Sequence, residues 1–402
     1  MKKKIAFIIS LNNSAKGGLF FATTNRIKSF IVNNPDFDVT VFNLTFKMPF
    51  IIQVFKKLFL KSNELQKEFI TINDLKCQNL WLDEITIFSY IHSKIYNQPQ
   101  PSFSVYACRF VEKFSNFSLI AAHFGNGPGE FACEIARLTD KPYIITYHGT
   151  DIHTTPFRSE EKRALYKKLL SQSSANIFVS KGLLRKSTEI YKNVNKNYVI
   201  YNGIDINKFK RANENEINQL KILLGIEGKV IAFAGNLIDV KNVLVLPAIF
   251  EQIRKLYCGN ISFLIIGDGS LQKSVKKKAK SLNLEIIFTG RIENDQMPLF
   301  YSLIDVLVLP SKNEGMPLVL AEAISCGAYC VGSRTGGIPE VIGDENCFDL
   351  DENFVEKISN RIIYLLECQP IHRKSDFEMD MKANSITEGE IYRNILRENT
   401  DI

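Results

Sequence analysis

The sequence predicts an α/β protein made of two doubly wound parallel sheets in tandem. Three observations carry that reading. The chain has 402 residues, more than one ordinary core fills and suited to two domains of about 200 residues. Short runs that are apolar at almost every position recur along it, as strands covered by helices on both faces require. Longer amphipathic stretches separate these runs, so strand and helix alternate.

In the first half, strands are expected at 5–10, 39–44, 119–123, 143–147, 177–180 and 198–201. In the second half they are expected at 230–234, 261–267, 285–289, 306–309 and 328–332. Helical stretches fill the gaps, among them 160–171, 243–256 and 270–282. The start, MKKKIAFIIS, is basic and then apolar. No small-residue cleavage site follows it, so it reads as a buried first strand of a cytoplasmic protein rather than a secretory leader.

The division falls after Asn202-Gly203-Ile204-Asp205, a turn cluster followed by a polar stretch at 208–218. This gives a first Rossmann-like domain at 1–205 and a second at 206–375, with a helix at 376–402 placed to pack back on the first. A cleft between two such domains is the expected ligand site, because both sheets can turn their C-terminal edges into it.

Residues 45–103 break the rhythm. Within 46–62, Phe50, Ile51, Val54, Phe55, Leu58 and Phe59 recur at helical spacing, flanked by Lys47, Lys56, Lys57 and Lys61. Such a basic amphipathic helix suits an anionic membrane surface, and it suits equally a helix packed on its own domain with a solvated lysine face.

Composition narrows the class. Hydrophobic residues make up 45% and charged residues 23%, which excludes a wholly disordered or collagen-like chain. No run of 18 uncharged apolar residues occurs, which excludes a polytopic helical membrane protein. The eight cysteines are scattered without a C-x-x-C pair and read as buried free thiols. Residues 1–205 carry 27 Lys and Arg against 16 Asp and Glu; residues 206–402 carry 23 against 27. The basic first half is expected to face an anionic partner. Nucleic acid is not among the expected partners.

The densest chemical signal is 311–342, SKNEGMPLVLAEAISCGAYCVGSRTGGIPEVI, directly after the apolar run DVLVLP. Glu314 and Glu322 stand eight apart. Gly315, Met316, Pro317 and Leu318 open a helix, with Pro317 suited to its first turn. That helix start offers amides and a positive dipole end to an anion such as a diphosphate. A carboxylate at its mouth, Glu314, would hold sugar hydroxyls rather than phosphate. By itself the glutamate spacing fits ordinary surface residues; the strand, the Gly-Pro helix start and the later Gly336-Gly337-Ile338-Pro339-Glu340 set it apart.

On these residues the chain resembles the retaining GT-B glycosyltransferases, in particular the large family 4, whose signature is E-x7-E. Further pieces match in the family's order. They are Gly17-Gly18 after the first strand, Tyr147-His148-Gly149-Thr150-Asp151, Asn202-Gly203-Ile204-Asp205 with Phe209, Gly267-Asp268-Gly269, and Phe288-Thr289-Gly290-Arg291. Residues 45–103 have no counterpart.

The resemblance implies transfer of a sugar from a nucleotide donor, UDP-linked by expectation, to a glycan or lipid-linked acceptor in bacterial surface polysaccharide synthesis. It implies no cofactor and no metal. The departing diphosphate needs local positive charge, and Lys241 is the best-placed cation. The family usually carries Arg where this chain has Asn236, which donates a hydrogen bond without charge, so Arg291 or Arg334 would have to compensate. Gly17 and Gly18 would let backbone approach a phosphate or acceptor closely. Glu322 would take the ribose, and His148 would reach the donor sugar from a strand end. His123, at a second strand end, and Asp151 are expected on the acceptor side.

Competing readings remain at this level. A sugar-nucleotide epimerase or a non-catalytic sugar-nucleotide binder would use the same fold. His148, Asp151 and His153 with His123 have metal-ligand spacing. Asp349-x-Asp351 has the D-x-D pattern, but in an acidic loop with no strand to present it. The protein is expected in the cytoplasm, on the inner membrane face if the acceptor is lipid-linked.

Overall fold

The computed structural model describes residues 2–11, 17–47, 67–84, 103–192, 196–368 and 379–399. The chain forms two compact units. The first comprises Met1–Val179, Leu183–Ile200 and Ser385–Ile402; the second comprises Ser180–Gly182 and Tyr201–Asn384.

The first unit holds an eight-stranded sheet made of β1 (Lys3–Ile9), β2 (Phe37–Lys47), β3 (Phe69–Ile72), β4 (Leu75–Glu84), β5 (Leu119–His123), β6 (Tyr143–Tyr147), β7 (Ala175–Phe178) and β8 (Asn197–Val199). Its order is β3-β4-β2-β1-β5-β6-β7-β8. Every pair is parallel except the β3–β4 hairpin. All residues of β5 and β6 are buried, which is why their sequences are apolar throughout rather than alternating. The strand order reverses direction between β1 and β5, so the loops leaving these two strands diverge and open a crevice at their C-terminal ends.

The second unit repeats the plan with six parallel strands. These are β9 (Lys229–Ala234), β10 (Ile261–Ile266), β11 (Ile287–Gly290), β12 (Val306–Leu309), β13 (Tyr329–Ser333) and β14 (Cys347–Phe348), in the order β11-β10-β9-β12-β13-β14. Here the reversal lies between β9 and β12.

Each expected strand forms, its ends moved by three residues at most. The β3–β4 hairpin and the two-residue β14 are additions. The hairpin turns at Asn73 and Asp74, both with positive φ, the conformation that a two-residue turn between twisted strands demands and that Asn and Asp tolerate. Phe46 and Lys47 belong to β2, so the helix expected at 46–62 does not begin there. Its remaining positions, including Phe50 to Lys61, lie outside the described residues.

The boundary also moves, because the passage from the first unit to the second comes at Ile200–Tyr201 and the second unit runs to Asn384. Asn202 to Asp205 are held within the second unit. The Ile204 amide donates to Met379 O (2.8 Å), and the Met381 amide donates to Ile204 O (3.1 Å). A Cβ at Gly203 would meet Met381 backbone at 2.4 Å.

Three helices matter below: α1 (Gly18–Asn33), α2 (Leu318–Ser325) and α3 (Met381–Glu398). The later part of α3 packs on α1. A Cβ at Gly389 would meet Asn34 Oδ1 at 1.8 Å, so only glycine allows this approach. Tyr392 is fully buried against Phe30, with ring centroids 4.9 Å apart. Beside it Arg26 Nε donates to Glu388 Oε2 at 2.9 Å, with side chains 5% and 1% exposed. Arg26 Nη1 donates to Ile200 O, and the Tyr392 hydroxyl donates to Glu388 Oε1. Arg393 reaches Asp36 in the same seam. Of the eight cysteines, Cys108, Cys258 and Cys368 are exposed and the rest are buried, correcting the expectation that all are buried.

Removing one member of a buried ion pair leaves the other charged and uncompensated. Glu388→Ala should therefore lower the stability of the first unit by about 3–5 kcal/mol, read by chemical denaturation. The double change Arg26→Met with Glu388→Leu should cost markedly less. A Glu388→Ala variant as stable as wild type would show that α3 is not anchored through this pair.

Candidate functional site

In the second unit, the loops leaving β9 and β12 meet at the reversal of strand order. The Lys312 amide donates to Val240 O at 2.8 Å, and Lys312 Nζ donates to Asp239 Oδ1 at 2.7 Å. One step on, Lys241 Nζ donates to Glu314 Oε1 at 2.5 Å. Lys241 is 22% and Glu314 11% exposed, so solvent weakens this charge-assisted bond far less than one on an open surface.

Glycines let the surrounding backbone close in. Gly336 has φ +53°, and a Cβ there would lie 1.7 Å from Glu314 O. A Cβ on Gly337 would lie 2.5 Å from Gly315 O. Thus the loop after β13 seats directly on the Glu314 loop, helped by Thr335 Oγ1 donating to Lys312 O and Ser333 Oγ donating to Ser311 O. On the other side Gly267, with φ +124°, would place a Cβ 2.1 Å from Gly235 O. The Leu237 amide donates to Asp268 O at 2.7 Å, so Gly267-Asp268-Gly269 and Gly235-Asn236-Leu237 form one wall.

Helix α2 begins at Leu318, with Pro317 as its N-cap rather than within its first turn as the sequence suggests. Pro317 brings no N–H. The Leu318 amide turns back to Met316 O, and the Leu320 amide to Pro317 O. Met316 and Pro317 are buried, while Gly315 and Leu318 are part-exposed.

Glu322 lies in the second turn of α2 and does not join Glu314. Its Oε2 accepts from the Tyr301 hydroxyl at 2.8 Å. Burial pushes the Glu322 carboxyl up to about 7, against the Tyr301 bond and the Lys208 charge. Arg334 is tied to Asp344, Cys347 O and Asp349; Arg291, at the end of β11, and Asn236 are exposed. Asp349 and Asp351 are not a pair, since Asp351 bonds Lys357.

In the first unit, His123 ends β5 and His148 follows β6. His123 Nδ1 and His148 Nε2 are 2.9 Å apart, a hydrogen bond between rings that are 1% and 5% exposed. Burial drives the His148 imidazole down to about 3, and His123 well below its usual range; the Arg26 charge adds to both. Both rings are neutral near pH 7, so one donates and the other accepts.

Asp151 is committed to backbone amides. Its carboxylate accepts the amides of His148 (3.0 Å), Gly149 (2.7 Å) and Gly125 (3.4 Å), shaping the turn in which Gly149 has φ +150°. Burial pushes its carboxyl up to about 6 against these bonds. The metal reading of His123, His148, Asp151 and His153 gains nothing, for no group of three such side chains is arranged to hold a metal among the described residues. Gly17 is the N-cap of α1, and a Cβ on Gly18 would meet nothing within 4 Å among the described residues.

Residues 215–385 match the family described as glycosyl transferases group 1, and residues 77–208 match Glycosyltransferase Family 4. The chain is a group 1 glycosyltransferase of the GT-B fold. This glycosyltransferase is 27% identical over 340 residues to the N-acetyl-alpha-D-glucosaminyl L-malate synthase of Bacillus anthracis, spanning 80% of this chain and 85% of that one. It is 29% identical over 250 residues to the UDP-Gal:alpha-D-GlcNAc-diphosphoundecaprenol alpha-1,3-galactosyltransferase of Escherichia coli, spanning 57% of this chain and 61% of that one. Its fold resembles the crystal structure of HepE from Anabaena in complex with UDP and glucose, with a TM-score of 0.65, 18% identity and full coverage of both chains. Among the described residues, no helix is long and apolar enough to cross a membrane.

Sequence reasoning missed Tyr301, Phe124 and Arg26. Tyr301 stands in the Pro-initiated helix Met297–Leu303, where it reads as core. The glycine-rich FGNGPGE after β5 was the available signal for Phe124, whose φ is +77°.

The raised Glu322 carboxyl makes a pH prediction. The folded glycosyltransferase holds this proton up to about pH 7, whereas the unfolded chain releases it near 4.5. Folding stability from this group therefore falls as pH rises from about 4.5 to about 7 and stays reduced above. Glu322→Gln should match wild type in Tm below about pH 4.5 and exceed it at about pH 8. An equal difference at both pH values would place the carboxyl in solvent.

Proposed function

We propose that this glycosyltransferase moves a sugar, with retention of anomeric configuration and without a metal ion, from a nucleotide-linked donor to a glycan or lipid-linked saccharide. The observation that carries the reading is the Lys241–Glu314 pair at the reversal of strand order in the second unit. One loop cluster offers a cation for a departing diphosphate and a carboxylate for sugar hydroxyls, the two groups that cleavage of a glycosyl–phosphate bond needs side by side. UDP is the proposed nucleotide, supported by the UDP-sugar named for the Escherichia coli relative and the UDP bound to HepE.

In the proposed step the acceptor oxygen attacks the anomeric carbon on the face from which the diphosphate leaves. The bond to the phosphate oxygen breaks as the new glycosidic bond forms, and the acceptor proton passes to the departing phosphate. Lys241 holds the diphosphate, Glu314 orients the sugar and Glu322 meets the ribose; the family resemblance adds His148 as a further contact of the donor sugar. Gly17 and Gly18 let backbone approach the diphosphate or the acceptor closely. A lipid-linked acceptor agrees with the diphosphoundecaprenol named for the Escherichia coli relative and with the basic first half. The enzyme would then work at an inner membrane face.

The test is transfer assayed in excess EDTA, with the linkage of the product read by proton NMR. The reading predicts undiminished transfer and the donor's anomeric configuration in the product. An inverted product, or activity lost with EDTA and restored by a divalent ion, would overturn it. Glu314→Ala should lower the rate at least about 100-fold in a chain that still folds, with Tm lowered because Lys241 loses its carboxylate partner. A variant with the wild-type rate would remove Glu314 from the site.

A further inference from the structure

Five rings stand in a row through the first unit. Tyr392 of α3 stacks on Phe7 of β1 (6.1 Å between centroids), Phe7 on His123 (5.7 Å), His123 on His148 (5.2 Å), and His148 meets Phe124 (4.7 Å). Phe124 is held with φ +77° and ψ 136°, costly for a side chain with a Cβ. Its amide donates to Thr146 O and its carbonyl accepts from the Gly129 amide, both at 2.9 Å. A Cβ at Gly129 would lie 2.9 Å from that same carbonyl. The strained backbone is fixed from both sides, which sets the Phe124 Cα beside His148.

The column leaves the rings one internal freedom, the proton between His123 Nδ1 and His148 Nε2. His123 Nε2 and His148 Nδ1, the two outer nitrogens, are buried without a hydrogen-bond partner among the described residues. Since both rings are neutral, one outer nitrogen carries a hydrogen and the other a lone pair. A buried unpaired N–H is costlier than a buried lone pair, so the hydrogen belongs at the end a ligand reaches. His148 is the less buried ring and lies beyond the strand end.

We infer that His123 is a positioning residue: its Nδ1–H donates to His148 Nε2, and this leaves His148 Nδ1–H as the donor offered to the bound sugar. The inference rests on the proposed contact of His148 with the donor. It assigns the ring column the task of holding one tautomer of one side chain. Asp151 serves the same end from the backbone side by gripping the His148 amide.

The test uses the full chain labelled with 15N-histidine. His148 signals are identified by their loss in His148→Gln. The inference predicts a protonated Nδ1 and an unprotonated Nε2 at His148. In His123→Phe, which keeps the ring and loses the nitrogens, His148 should become a mixture of tautomers and kcat/KM should fall about tenfold, the worth of one hydrogen bond. In His123→Asn, whose amide can occupy the place of Nδ1, the tautomer and kcat/KM should return to within about threefold of wild type. A wild-type His148 protonated at Nε2 would overturn the inference even if no variant folds. An unchanged His148 spectrum in a folded His123→Phe would also overturn it. The underlying reading fails separately, if His148→Gln itself transfers sugar at the wild-type rate.

Discussion

The Lys241–Glu314 ion pair is the contact on which the second unit's site depends. It joins loops whose residues are 73 apart in sequence, and it forms only because β9 and β12 are neighbours across the reversal of strand order. The glycines around it make sense as consequences. Gly336 and Gly337 let the loop after β13 press on Glu314 and Gly315, and Gly267 lets the loop after β10 press on Gly235. Remove these approaches and the carboxylate and ammonium no longer share a fixed position. A paired lysine is also a restrained lysine, so its charge is in place before a ligand arrives.

The two units handle charge differently. The second keeps a charged pair at a part-exposed edge and, in the second turn of α2, a carboxyl, Glu322, that burial has raised to about 7. The first keeps a neutral pair, His123 and His148, in a buried column, with its charges matched elsewhere as Arg26 and Glu388. Neutral hydrogen-bonded rings cost little to bury; an unpaired ion would cost several kcal/mol. The helix α3 supplies both Glu388 and the first ring of the column, Tyr392, so the end of the chain supports the histidines laid down near the middle.

Much of this was legible in the sequence, for physical reasons. Strands such as β5, β6 and β12 are buried on both faces, and an unbroken apolar run has few other uses in a chain of this class. The β3–β4 hairpin was harder, because β3 is four residues long at a sheet edge with Phe69 exposed. Only Asn73-Asp74 marked it. Glu314, Lys241, His123 and His148 could each be singled out from strand ends and motif order. Their partners could not, because pairing depends on which strands become neighbours. Asp151 shows the limit from the other side, where an acidic residue in a ligand-like motif proves to be committed to three backbone amides. The split at 205 misplaced Ile204, since a turn cluster marks a change of direction and not a change of unit.

The most direct test of the account is a double-mutant cycle on UDP binding, by calorimetry, with Lys241→Ala, Glu314→Gln and the double variant. If Lys241 divides its charge between Glu314 and a diphosphate, Lys241→Ala weakens UDP binding about tenfold in the wild-type background. The loss should be clearly larger in the Glu314→Gln background, where the lysine serves the ligand alone. Equal losses in both backgrounds, or none in either, would contradict the claim that this pair is the centre of the donor site.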